Sequence, residues 1–141
     1  MKPLFPLPTS LVSPASEAQK LFDAQKYHEA IACCNRELAA LEKQIPARNT
    51  KPPPEAEAGS AVFQYYALTV ILANALAALD EWKAAKEALG KYRVRFPKDP
   101  WGFEVGAEVT RRDTEVKDKA AVQRAIELLE GEAERLRGQT A

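Results

Sequence analysis

Apolar residues recur at steps of three and four along most of this 141-residue chain, which is the spacing of one buried face on an α-helix. The pattern predicts a first helix from Pro14 to about Gln25, with Ser13 as its N-cap. A second, longer helix is predicted from about Tyr27 to about Gln44. Because the break between them is short, these two helices are expected to form a hairpin.

Two further helices are predicted in the middle of the chain. The third, which ends near Leu79, is apolar on nearly every side, as expected of a core helix. The fourth is amphipathic and runs from Glu81 to about Arg95, and Pro97 prevents it from continuing. The chain therefore combines amphipathic helices with one apolar helix, the third, which other helices must surround.

Two more helices are predicted in the last third of the chain, and the first of them has a clear start signal. Asp99 is the expected cap and Pro100 the first turn of a fifth helix, over about 101–112. A sixth helix is predicted over about 114–137. It has one apolar seam, formed by Val122, Ile126, Leu129, Ala133 and Leu136, and a charged back. The seam fits either a short coiled coil or packing on the chain's own domain, and the second interpretation is favoured.

The length and composition indicate one helical domain, over residues 14–138. A Pro-rich segment, residues 1–13, precedes it and is called the arm below. The arm has the spacing of a polyproline ligand around Phe5, but an arm that is disordered or folded back on the domain is favoured. Residues 46–60 are predicted to be a stiff polar connector on the surface, because three consecutive prolines lie within them.

The charge balance excludes several partners. Lys plus Arg and Asp plus Glu both number 20, so no net positive field attracts nucleic acid or an anionic membrane. The longest apolar run, Tyr65 to Leu79, is shorter than the roughly 20 residues that cross a bilayer. Prolines interrupt any signal-like stretch near the start. We expect a cytoplasmic protein that binds neither nucleic acid nor membrane.

Residues that carry catalysis are sparse. His28 is the single histidine, so no histidine pair can hold a metal ion. Cys33 and Cys34 are neighbours on a helix, a poor geometry for a disulfide, and Cys34 falls on the apolar face. There is no glycine loop for phosphate. The sequence therefore predicts no catalytic residue, no metal, no cofactor and no enzyme activity.

The chain repeats itself weakly. The stretch from Ala18 to Leu41 overlays the stretch from Ala73 to Phe96 at a constant shift of 55 residues. This shift exceeds a 34-residue helical repeat by about 21 residues, and the Pro-rich connector is where such an insertion would lie. The pairs that match across the two copies are Ala18 with Ala73, Leu21 with Leu76, Tyr27 with Trp82, and Ala30 with Ala85.

The second copy resembles a tetratricopeptide-repeat (TPR) unit. Its matching positions are Leu72, Ala73, Leu76, Trp82, Ala85, Leu89 and Pro97. The small residues allow two helices to approach closely, and the large ones fill the space between them. The first copy departs from the pattern because Glu42 stands where the closing proline belongs. The resemblance covers about half the chain and fades beyond Trp101, so the last helix pair is either a degenerate unit or a cap.

The resemblance implies an all-α fold of about six helices in three antiparallel hairpins, wound as a right-handed superhelix with a degenerate C-terminal pair. It also implies a protein-interaction module, adaptor or chaperone-like, that holds a partner peptide or helix in a concave apolar groove. Two alternatives stay open: an immunity or antitoxin protein that blocks a cognate toxin, and a self-associating structural subunit that forms a homodimer.

The groove is expected along the first and third helices. The leucine face of the third helix should pack on helix four, which leaves its small-residue face for a ligand. The expected partner-binding residues are Gln19, Phe22, Phe63, Ala67, Val70, Asn74 and Ala78. The competing interpretation is that helix six or the arm covers this face, because so apolar a surface would otherwise risk aggregation.

Overall fold

The computed structural model describes residues 5–8, 11–45, 56–57 and 59–140. Within these ranges the chain forms six α-helices and no strand, which confirms the all-α prediction and the number of helices. The helices are α1 (Ala15–Asp23), α2 (Tyr27–Glu42), α3 (Ala61–Ala78), α4 (Trp82–Arg95), α5 (Pro100–Arg112) and α6 (Lys119–Thr140). Most of the predicted 46–60 connector lies outside the described residues.

The core is built around α3. Each helix packs on the next one in the chain, and α1 also packs on α3. Nearly every side chain of α3 from Phe63 to Leu76 is buried. By length and composition α3 could cross a membrane, but 72% of it is buried inside the fold, as in a core helix. The all-round apolar pattern of α3 therefore reflects contacts with neighbours on several sides.

The same turn follows α1 and α3. Gln25 and Asp80 have positive φ values of 61° and 56°, the left-handed conformation that commonly ends a helix. In the first turn the N–H of Lys26 donates to the carbonyl of Leu21 at 2.9 Å, and the equivalent bond in the second joins Glu81 to Leu76 at 2.9 Å. These equivalent residues are separated by the 55-residue shift of the sequence repeat, so the repeat extends to backbone conformation.

The junction between α4 and α5 is fixed by one carboxylate. Asp99 Oδ1 accepts a hydrogen bond from the N–H of Trp101 at 3.0 Å, so Asp99 caps α5 with Pro100 next to it, as predicted. Asp99 Oδ2 accepts from the Tyr92 hydroxyl at 2.5 Å. The Tyr92 ring lies against the rings of Tyr66 and Trp101. This carboxylate therefore ties the end of α4 to the start of α5 inside an aromatic cluster.

Two predicted helix starts are wrong. Ser13 does not cap α1, because its hydroxyl donates to Glu17 Oε1 at 2.8 Å. The free N–H of Ala15 donates instead to the buried Gln64 Oε1 of α3 at 3.1 Å. The last helix starts about five residues later than predicted. Asp113 holds a turn by accepting from the N–H of Glu115, and Asp118 caps α6 by accepting from the N–H of Ala121.

The seam of α6 packs on α5, as the favoured interpretation of the sequence required. Ile126, Ala133 and Leu136 of the seam are buried, and Val122 and Leu129 are half-buried. Ion pairs across the two helices join Arg111 to Glu130 and Arg137 to Glu104. Leu128 lies outside the seam and is 76% exposed. The apolar seam is thus used within the domain.

Ala85 provides a test of how closely the helices approach. Its side chain is fully buried on α4, and Trp82, one turn earlier, is half-buried against the core. Ala85→Phe should lower the free energy of unfolding by about 1–3 kcal/mol, because the larger ring overpacks this position. Urea unfolding measures the change. The control Ala40→Phe, on an exposed side of α2, should change it by less than about 0.5 kcal/mol. Equal unfolding curves for the two variants would show that α4 is loosely packed here.

Candidate protein-interaction site

The arm packs on the helical core. Phe5 is buried, and Leu7 and Leu11 are half-buried against the core cluster. Pro6, between them, is exposed. The described part of the arm is therefore folded back on the domain, one of the two arrangements favoured from the sequence.

Asn74 of α3 holds the arm by its backbone. The N–H of Phe5 donates to Asn74 Oδ1 at 2.8 Å, and Asn74 Nδ2 donates to the carbonyl of Phe5 at 3.1 Å. The second amide hydrogen of Asn74 is donated to the carbonyl of Val70 at 3.0 Å. The side chain is 2% exposed, so these bonds form away from water. One buried amide thus pairs with both backbone groups of a single residue.

The path of the arm along α3 follows from two contacts. Asn74 binds Phe5, and Gln64 binds the first residue of α1, Ala15. Ten helical residues separate Gln64 from Asn74, a distance of about 15 Å. From Phe5 to Ala15 the chain therefore progresses in the direction opposite to α3.

The predicted site residues do come together around α1 and α3, but the face is closed. Phe22, Phe63, Ala67, Val70 and Asn74 are buried, while Gln19 and Ala78 are partly exposed. The expectation that this face is open is wrong for the structure described, because the arm and the neighbouring helices cover it. Of the two covers that the competing interpretation named, the arm is observed at Asn74, which binds Phe5. Whether these residues bind a partner stays a prediction.

Several residues of this set contact neighbours that are close in the sequence. The ring of Phe22 packs against Tyr27 with centroids 5.5 Å apart, and that of Phe63 packs against Tyr66 at 5.7 Å. Gln19 Nε2 donates to Asp23 Oδ1 at 2.7 Å, whereas its buried Oε1 has no hydrogen-bond partner within the described part of the chain. Within the described residues, Asn74 is the member of this set that hydrogen-bonds to the arm, through the backbone of Phe5.

A second apolar surface lies on another side of α3 and was missed by the sequence reasoning. A cleft of about 430 Å³ separates α2 from α4 and has α3 as its floor. Leu72 and Leu76, expected to pack on α4, lie in this floor. The signal was the set of small residues on the facing helices: Ala39, Ala84 and Ala88, which line the cleft without filling it.

The two cysteines lie in a poor environment for nucleophilic catalysis. Cys33 and Cys34 are both free and buried. Burial raises the pKa of the Cys34 thiol far above its ordinary value, and the adjacent Cys33 raises it further. At neutral pH Cys34 is therefore an uncharged packing residue. Among the described residues no three His, Cys, Asp or Glu side chains come close enough to hold a metal ion.

No family model, curated protein or solved structure matches this chain. The TPR resemblance therefore depends on the residues and on the repeated turn described above.

Proposed function

We propose that this chain is a non-enzymatic protein-interaction module that binds an extended segment of another protein along α1 and α3. The proposed architecture is TPR-like, with antiparallel helix pairs wound as a right-handed superhelix. The contacts between successive helices, the contact of α1 with α3, and the turn repeated at Gln25 and Asp80 support it. In this arrangement the first helices of the pairs, α1 and α3, line one side of the molecule.

The observation that carries the proposal is the pairing of Asn74 with the backbone of Phe5. A protein segment already lies on the proposed site, and it is held by groups that every residue other than proline has. Ala67 and Val70, on the same face, are small enough for a backbone to approach closely. The fold can therefore bind a peptide chain without forming any new pocket, provided that the arm moves away.

The proposal is tested with a photo-crosslinking residue in place of Ala78, which is partly exposed four residues beyond Asn74. We expect it to capture a defined protein from an extract of the native source. In a Phe5→Ala background, in which the arm is weakened, adding Asn74→Ala should reduce that capture at least about tenfold, because two hydrogen bonds to the bound backbone are lost. Circular dichroism checks that both variants remain folded.

The matched control is Asn35→Ala, which removes the same amide from an exposed position at the α2–α4 cleft. It should leave capture unchanged. Capture that depends on Asn35 and not on Asn74 would place the partner in the cleft and contradict the proposed site.

A further inference from the structure

The arm shows which conformation the α3 site accepts. In an antiparallel sheet one residue exchanges both its N–H and its C=O with the residue opposite, because in extended backbone the two groups point to the same side. Asn74 makes the same pair of bonds to Phe5 with a side-chain amide. A helical residue would point its N–H and C=O in opposite directions along the axis. The amide of Asn74 therefore selects a residue whose N–H and C=O face the same side, as those of Phe5 do at a bend of the chain.

Proline at position 6 favours this conformation before binding. Contact with the proline ring disfavours the helical region for the residue before a proline and favours extended backbone there. Pro6 therefore prepares Phe5 for Asn74, and it has no N–H of its own that would need a partner. Phe5 is buried and Pro6 is exposed. The Phe5 side chain therefore packs in the core, and the Pro6 ring faces solvent.

The buried side chain adds selectivity. Phe5 is only 4% exposed and belongs to the main core cluster, together with buried side chains of α1, α2 and α3. Burying an aromatic ring removes about 150–250 Å² from water, which is the largest apolar contribution that one residue can make. A small residue at this position would keep the two backbone bonds but leave space in the core.

Building on the proposed function, we propose that the α3 site recognises an aromatic residue followed by proline in a segment of a partner protein. The arm, through Phe5 and Pro6, is then an intramolecular competitor for the same site. A short tether gives a bound segment an effective concentration in the millimolar range. A partner must therefore carry a matching segment, and must bind tightly enough to displace the arm.

The experiment uses the full-length chain and a labelled peptide with the sequence of residues 1–11. Phe5→Ala in the protein weakens the arm, so fluorescence anisotropy should show the peptide binding at least about tenfold more tightly to this variant than to the wild type. Adding Asn74→Ala to Phe5→Ala should abolish the gain, whereas adding Asn35→Ala should retain it. A peptide with alanine in place of its Phe5 should not bind, and one with alanine in place of its Pro6 should bind several-fold more weakly.

Amide hydrogen exchange on the wild-type chain gives a second measurement that does not depend on the variants folding. The N–H of Phe5 is hydrogen-bonded to buried Asn74, so its exchange should be slow and should accelerate when excess peptide displaces the arm. Unchanged exchange at millimolar peptide, or peptide binding to the folded Phe5→Ala protein that does not weaken when Asn74→Ala is added, would overturn the inference. If a partner is captured through Asn74 but is not displaced by the peptide, the proposed function stands and the aromatic–proline selectivity is wrong.

Discussion

Val70→Glu is expected to lower the free energy of unfolding by about 3–5 kcal/mol. Val70 is fully buried on α3, and its carbonyl accepts a hydrogen bond from Asn74, which holds the arm. A carboxylate at this position would be buried with neither a cation nor hydrogen-bond donors arranged to bind it. Burying an unpaired charge is among the most destabilising effects of a single substitution. The variant should therefore unfold at a much lower urea concentration than the wild type.

The control is Val94→Glu, the same substitution at a position that is 73% exposed on α4. It should change the free energy of unfolding by less than about 0.5 kcal/mol. Burial should also raise the pKa of the new carboxyl at position 70, so its destabilising effect should diminish as the pH falls and the group becomes neutral. A Val70→Glu protein with normal stability and no partner binding would show that the face is open in solution, as the sequence alone suggested.

Asp99→Ala is expected to cost about 2–4 kcal/mol, because one carboxylate has two structural roles. It caps α5 at the N–H of Trp101, and loss of such a cap costs about 1 kcal/mol. It also accepts the hydrogen bond of the buried Tyr92 hydroxyl, and an unpaired buried donor costs about 1–3 kcal/mol. Burial and the Asp99 carboxylate raise the pKa of Tyr92, so its hydroxyl stays a donor at neutral pH.

A double-mutant cycle with Tyr92→Phe separates the two roles. In a Tyr92→Phe background there is no buried hydroxyl to leave unpaired, so Asp99→Ala should cost only the cap, about 1 kcal/mol. Chemical denaturation of the four proteins measures the coupling. Equal costs of Asp99→Ala in both backgrounds would mean that the bond to Tyr92 does not contribute to stability.

Local patterns predicted most of the helices in this fold. The spacing of apolar residues identified six helices, and Asp99 with Pro100 marked the start of α5 correctly. These features depend on neighbours within four residues, which a sequence displays directly. The start of α6 was placed too early because apolar periodicity does not reveal the turn at Asp113 or the N-cap at Asp118.

The closure of the α3 face could not be derived in the same way. Periodicity assigned Val70 and Asn74 to one face, which is correct, but it does not show what covers that face. Phe5 and Asn74 are 69 positions apart, and no local rule connects them. Likewise, Gln64 replaces Ser13 as the partner of the Ala15 N–H through a contact over 49 positions. Long-range pairs of this kind are fixed by tertiary packing.

The separation of Phe5 from Asn74 also bears on the order in which the chain assembles. A contact that closes a loop this long carries a large entropic cost until the intervening helices have folded. The arm is synthesised before α3, yet it can only dock after α1, α2 and α3 have come together. Docking of the arm is thus expected among the last steps of folding, and its release among the first local openings of the native protein. Until the arm docks, newly made chains would therefore display the small-residue face of α3 to other proteins in the cell.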